Sequence, residues 1–170
     1  SLGRGGAETL LVGILPELNI SYEIILVTLA DVCEFKEEEI ICSKRYSLGF
    51  NGKLSFFSSI IKLRKIIRQH KPALIHTHLV NSSIVARIAS PAEIPIAISL
   101  HSLLSKNVYD NSRIYRTIEK KIFNKKHFAI AVSKDVLQDY EKSIGKPGKS
   151  FVLTNYVADD IIKNASIKGK

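Results

Sequence analysis

The spacing of apolar residues switches repeatedly along this chain, and the switches mark its elements. From Gly6 to Leu18 the residues Leu10, Leu11, Ile14, Leu15 and Leu18 recur at helical spacing, which predicts an amphipathic helix. Pro16 predicts a short or distorted last turn, because proline lacks the backbone donor a helix interior needs. Glu23 to Leu29 (EIILVTL) is a nearly continuous apolar run with β-branched residues, the pattern of a strand covered on both faces in a parallel sheet. Lys53 to His70 predicts the clearest helix. Its expected buried stripe is Leu54, Phe57, Ile60, Ile61, Leu63, Ile66 and Ile67, with Lys62, Arg64, Lys65 and Arg68 outside it and Pro72 as its stop.

The other segments are shorter. Asp31 to Ile41 is acidic and reads as a short exposed helix, and Ser43 to Gly52 as an edge strand with a turn at Asn51-Gly52. Ala73 to His78 (ALIHTH) predicts a strand, Asn81 or Ser82 the cap of a helix to Ala89, and Ile96 to His101 (IAISLH) a strand opened by Pro95. Leu103 to Asn111 reads as a loop. Ser112 to Lys125 reads as a basic helix with Ile114, Ile118, Ile122 and Phe123 on its apolar side. Phe128 to Val132 (FAIAV) predicts a strand, Ser133 the N-cap of a helix from Lys134 to Ser143, and Gly145 and Lys146-Pro147-Gly148 its stop. Phe151 to Thr154 predicts a last strand, and the tail from Ala165 is expected to fray.

Strand and helix alternating at this spacing imply right-handed βαβ units. The expected fold is α/β and Rossmann-like, an open, mostly parallel sheet with helices on both faces. Ligands of such sheets bind beyond the carboxyl ends of the strands. That directs attention to Ala30-Asp31, His78-Leu79, His101-Ser102, Ser133 and Asn155.

Composition narrows the classes. The 170 residues fit one domain, and 45% hydrophobic residues with 24% charged ones describe a globular chain. A net charge of +9 favours anionic surroundings. No basic stretch is interleaved with the aromatics of a nucleic-acid platform, which argues against nucleic acid as partner. No apolar run approaches the ~20 residues of a membrane span. Cys33 and Cys42 have neither redox nor zinc spacing and read as reduced thiols of a cytosolic protein. The chain contains no Met and opens inside what reads as a loop, so it is taken as a fragment.

The candidate chemistry lies at the predicted strand ends. Ser1-Leu2-Gly3-Arg4-Gly5-Gly6-Ala7-Glu8 precedes a helix. Glycine lets the backbone turn tightly and approach a ligand, and free N–H groups at a helix start favour an anion; a plain glycine turn is the alternative. Glu8 stands where a dinucleotide fingerprint needs its third glycine, while Asp31 falls roughly where that fold places a ribose-binding acid. His76 and His78 lie two apart in a strand and share a face. His78 is at the strand end; His76, one pleat deeper, reads equally as a buried, hydrogen-bonded residue. His101, followed by Ser102, is placed to hydrogen-bond a sugar hydroxyl or a phosphate or to polarise a reacting group, and reads equally as a polar residue closing a strand. Ser133 reads as an N-cap that still leaves N–H groups facing a ligand, and Asn155 as turn chemistry. The Lys62–Lys71 and Lys120–Lys126 clusters read as solvated helix faces or as a membrane-facing surface. No pair of carboxylates sits at successive predicted strand ends, and no G-x-S-x-G elbow or P-loop is present in the sequence.

Five segments, in order, resemble the amino-terminal domain of the family 4 glycosyltransferases of the GT-B fold. They are Gly5-Gly6-Ala7-Glu8, Lys71-Pro72-Ala73-Leu74-Ile75-His76-Thr77-His78, Ile98-Ser99-Leu100-His101-Ser102, Ala131-Val132-Ser133 and Val152-Leu153-Thr154-Asn155-Tyr156-Val157. The resemblance implies a retaining, metal-independent sugar transfer without a cofactor, between a nucleotide-sugar donor and a sugar, lipid-linked or phosphorylated acceptor. It implies an acceptor-binding domain over 1–158 and, from 159 to 170, the start of a linker toward a donor-binding domain. By position, His101 matches the family's active-site histidine, and Gly5, Gly6, His78, Ser102 and Ser133 line the cleft. A role in cell-envelope polysaccharide synthesis follows, in the cytoplasm and at the inner membrane face. The family's first strand would precede Ser1, and its usual Pro-Asn-Gly-Val is here Thr154-Asn155-Tyr156-Val157. Half of such an enzyme is expected to be inactive alone. The alternative is a stand-alone Rossmann-like module for a phosphorylated ligand or dinucleotide. A third reading is a basic surface for membrane or nucleic acid.

Overall fold

The structure is a computed structural model that describes residues 1–52, 54–106 and 113–154. In chain order its elements are α1 (Gly6–Ser21), β1 (Ile25–Thr28), a 3₁₀ turn (Glu37–Glu39), β2 (Lys44–Ser47), α2 (Ser55–His70), β3 (Ile75–His78), α3 (Val80–Ala89), β4 (Ile96–Leu100), α4 (Arg113–Ile122), β5 (Phe128–Ala131), α5 (Lys134–Ser143) and β6 (Lys149–Val152). All strand pairs are parallel. The strands form two sheets, β1-β2 and β3-β4-β5-β6, where the sequence predicts one. The register runs His78↔Ser99 and Leu100↔Ala131, which sets the ends of β3, β4 and β5 side by side.

One helix layer joins the two sheets. Leu48, Ile60, Leu63, Ile67, Val85, Ala86 and Ala89 form a core from α2 and α3, and both Val27 of β1 and Ile75 of β3 pack on it. A second core lies under α1, where Val12 and Leu15 meet Leu2, Leu26, Phe35 and Ile40. Alternation therefore turns Leu26 toward α1 and Val27 toward α2 and α3. On β3 it turns Ile75 and Thr77 to the α2–α3 side and His76 and His78 to the other.

Several expectations are corrected by this packing. The first helix runs to Ser21 through Pro16, since Val12 and Leu15 anchor it on the core. The stripe predicted for α2 is too wide. Ile60, Leu63 and Ile67 are buried, whereas Leu54, Phe57 and Ile61 are 98%, 74% and 56% exposed. Seven apolar positions exceed the arc one helix can bury, and the core takes the 60-63-67 row. On α4 Ile114 is exposed and Glu119 is buried. Neither Asn81 nor Ser82 caps α3; the helix starts at Val80 after Leu79, and Ser82 Oγ donates to the Leu79 carbonyl at 3.0 Å. The last strand lies two residues earlier than predicted, set by Phe128↔Lys149 pairing. Asn155, Tyr156, Val157, the boundary at 158 and the tail lie outside the described residues, as does most of the Leu103–Asn111 loop.

Candidate functional site

The glycine turn is held from outside the helix it precedes. Leu2 pairs as a parallel bridge with Cys33, its N–H donating to the Val32 carbonyl at 2.9 Å. The Arg4 N–H donates to Glu34 Oε2 at 2.8 Å, and the Arg4 guanidinium reaches Glu39 Oε2 at 2.9 Å. The acidic stretch thus has a use its composition did not reveal, as the clamp on this turn. Gly5 is the N-cap of α1 at φ −77° and ψ 164°, and no side chain caps that end. Neither Gly5 nor Gly6 has positive φ, so conformational freedom is not what glycine supplies there. At Gly5 a Cβ would stand 2.6 Å from Glu8 Oε2, the far end of a flexible side chain that would have to swing aside. Gly6 faces open space.

Three imidazoles gather at the ends of β3 and β4. β3 and β4 place His76, His78, Ser99 and His101 on one face by alternation and register. His76 Nε2 lies 2.8 Å from Ser99 Oγ, and its ring lies beside that of His78, tilted by 39° with centroids 4.3 Å apart. His78 Nδ1 lies 3.1 Å from His101 Nε2, with centroids 5.4 Å apart. The other nitrogens, His78 Nε2 and His101 Nδ1, are buried without a protein partner among the described residues.

The cluster is held uncharged. Burial, and then repulsion from His76 and His101, pushes the pKa of His78 down to about 3. Burial lowers His76 and His101 as well. The Glu8 carboxylate opposes this at His101, pulling its pKa upward. Glu8, in the first turn of α1, thus acts electrostatically on His101 although the sequence separates them widely.

The backbone just after His78 is strained. Leu79 has φ 69° and ψ 154°, a region that side chains with a Cβ rarely occupy. Such strain gathers at ligand sites and costs of order 1–3 kcal/mol.

The remaining candidates are placed less centrally. Ser133 caps α5, accepting from the Val136 N–H at 3.2 Å, so its side chain is committed to the helix. Ser102 is exposed beside His101. Asp31 is exposed near Gly49. Asn155 lies outside the described residues. Among the described residues no group of three His, Cys, Asp or Glu side chains forms a metal site, and no helix is long and apolar enough to cross a membrane. Neither the effect of Glu8 on His101 nor the His76–Ser99 bond is legible in the sequence, because both depend on the alignment of separate elements.

Parallel strands, crossover helices and a polar rim at the strand ends define an α/β domain of the Rossmann-like class. Comparison with solved structures agrees: the chain superposes on a crystal structure of Anabaena HepE in complex with UDP and glucose, with a TM-score of 0.66 and 22% identity. The match covers 99% of this chain and 48% of HepE, so this chain spans about half of that protein. No curated protein matches the chain. The sequence profile of Glycosyltransferase Family 4 matches residues 4–160, and the chain belongs to that family.

Proposed function

We propose that this domain is the acceptor-binding half of a retaining, nucleotide-sugar-dependent glycosyltransferase that transfers a hexosyl group. The observation that carries the reading is the meeting of His78 and His101 at the strand ends, within electrostatic reach of Glu8 on the glycine turn. A neutral imidazole is a hydrogen-bond partner for a sugar hydroxyl or a phosphate oxygen. His101 is then the catalytic residue. Gly5 and Gly6 give an anion an open approach to the N–H groups of α1, and His78 and Ser102 flank the acceptor. Ser133 contributes by fixing the start of α5. Family membership and the UDP and glucose bound to HepE support a nucleotide-sugar donor. The reaction as proposed needs neither metal nor cofactor. A single half cannot surround both reactants or exclude water, so this chain alone is expected to be inactive.

The same reading places the enzyme in the cytoplasm, in cell-envelope polysaccharide synthesis, with a lipid-linked or phosphorylated acceptor at the inner membrane face. Its support is the outer face of α2. Leu54, Phe57 and Ile61 are exposed there, and Ser55 to Lys71 holds five Lys and Arg residues and no acidic ones. Lys62 and Arg64 donate to the carbonyls of Leu48 and of Ile88 and Ala89, which leaves Lys65, Arg68 and Lys71 for a surface. Each basic residue near anionic lipid contributes roughly 1 kcal/mol. Sedimentation with anionic and neutral liposomes is expected to recover the chain with the anionic ones; equal partitioning counts against it.

The test of the transfer reading is turnover of UDP-, GDP- and ADP-sugars by the product of the whole reading frame and by the 170-residue chain. Turnover is expected from the first, none from the second, and a loss of ~100-fold or more in His101→Ala. Robust turnover by the chain alone, or an unaffected His101→Ala enzyme, overturns it.

A further inference from the structure

We propose that Asp139, on α5, is a positioning residue for His101, its carboxylate tying the turn that follows His101 to the helix. The purpose of that tie rests on the transfer reading; the tie itself does not.

His101 stands just outside the sheet. β4 ends at Leu100, whose carbonyl accepts from the Val132 N–H at 3.1 Å. Beyond that bond, pairing with β5 no longer sets the backbone. A residue past the ladder keeps its conformational freedom unless the chain is held on both sides of it. The far side is held at Leu104 and Ser105. Leu104 is buried. Leu103 to Lys106 close a turn, the Lys106 N–H donating to the Leu103 carbonyl at 3.2 Å. The Ser105 N–H donates to Asp139 Oδ2 at 3.0 Å. The segment from His101 to Leu103 therefore runs between two fixed points, and His78 meets the His101 ring from the side at 3.1 Å.

α5 is a firm base for the second point. Ser133 caps its start, and Val136 and Tyr140 bury its inner side. Asp139 is half-buried beside them. Burial pushes its carboxyl up, but the Ser105 hydroxyl and N–H, the Leu104 N–H and the Arg116 charge of α4 together hold it below its ordinary range. It is therefore an ionised acceptor at neutral pH, and such acceptors make the stronger hydrogen bonds. A single hydrogen bond contributes only modestly to global stability. Misplacing a reacting group by about 1 Å, in contrast, costs on the order of 100-fold in rate. The weight of Asp139 thus falls on the site rather than on the fold.

The test uses the product of the whole reading frame with Asp139→Ala and Asp139→Asn. Asn keeps a side-chain oxygen to accept from the Ser105 N–H; Ala keeps none. On the sugar nucleotide that the wild type turns over, Asp139→Ala is expected to lose ~10-fold or more in kcat with the donor KM within about twofold. Asp139→Asn is expected to stay within about threefold of wild type. Nitrogen-15 spectra of the same histidine-labelled proteins, with no nucleotide present, read the placement itself. The His101 ring signals are expected to shift in the Ala variant and return in the Asn variant. Those of His70, bonded to Tyr46 at 2.9 Å, should stay in place in both. Unchanged His101 signals in Asp139→Ala, or an Asn variant as impaired as the Ala variant, overturns the proposal. If Asp139→Ala fails to fold, wild-type amide exchange decides: slowing of the Ser105 N–H by ~10-fold or more supports the tie, and less overturns it. Displaced His101 signals with undiminished turnover keep the tie and sink the catalytic role given to His101. A wild type that turns over no sugar nucleotide sinks the transfer reading and leaves the spectra to judge the tie.

Discussion

Two clusters of titratable side chains occupy opposite faces of the same four-stranded sheet, and they are built to opposite ends. On the helix-covered face, Arg87 of α3 pairs with Glu119 of α4, their side chains 1% and 5% exposed. Tyr140 of α5 lies beside them, its pKa raised to about 12 mainly by burial and next by the Glu119 charge. On the other face, His76, His78 and His101 stand at the strand ends uncharged, with polar atoms left over. The first cluster joins α3 to α4 through the Arg87–Glu119 ion pair, although Arg87 Nη1 and Glu119 Oε2 are themselves buried without a protein partner among the described residues. The second suppresses its charges and keeps nitrogens in reserve. An ion pair between two helices supports the fold; uncharged imidazoles gathered at strand ends, where ligands of open α/β sheets bind, suit a site.

Breaking the ion pair should have the largest effect. Arg87→Met leaves Glu119 buried and unpaired, and urea unfolding is expected to show a loss of about 3–5 kcal/mol. The double variant Arg87→Met/Glu119→Leu should recover most of it; no recovery would mean that the pair holds the helices by something other than charge.

Acid should separate the clusters next. The histidines have folded pKa values below the unfolded value of about 6.5, with His78 at about 3. The unfolded chain therefore binds more protons between those limits, and stability falls as pH drops through that window. Above it the contribution is fully present. Thermal melts from neutral to acidic pH are expected to show this loss, and to show less of it in His78→Phe. An identical pH profile in the variant would assign the loss to other groups.

Smaller changes sharpen the contrast. Leu79→Gly removes the strain after His78 and is expected to raise stability by about 1 kcal/mol, while loosening the rim and lowering turnover in the whole enzyme. Ser133→Ala should cost about 1 kcal/mol through loss of the α5 cap. His101→Ala should change stability least, by under about 1 kcal/mol, while removing transfer activity; a large loss of stability would move His101 to the structural side of the comparison.

The fold class was legible because it is written in local periods. EIILVTL, ALIHTH, IAISLH and FAIAV each announce a buried strand, and the runs between them announce helices; β1, β3, β4 and β5 lie within those segments. Ser133 was legible as a cap for the same reason, since capping needs only a residue and the three that follow. The width of the α2 face was not legible. Hydrophobicity names seven candidates, but only contact with α3 and the two sheets selects Ile60, Leu63 and Ile67 and leaves Leu54, Phe57 and Ile61 outside. Glu119 reads as a surface residue of a basic helix until α3 brings Arg87 against it.

Sequence alone therefore determined which residues stand at strand ends, because a strand's period and its stop are properties of neighbours in the chain. Tertiary structure decided what those residues do to one another. The register of β3 on β4 sets His78 against His101, and the seating of α1 lets the Glu8 carboxylate act on His101 through space. Hydrogen bonds and charge act over a few ångströms of space, and only folding converts separation along the chain into that distance.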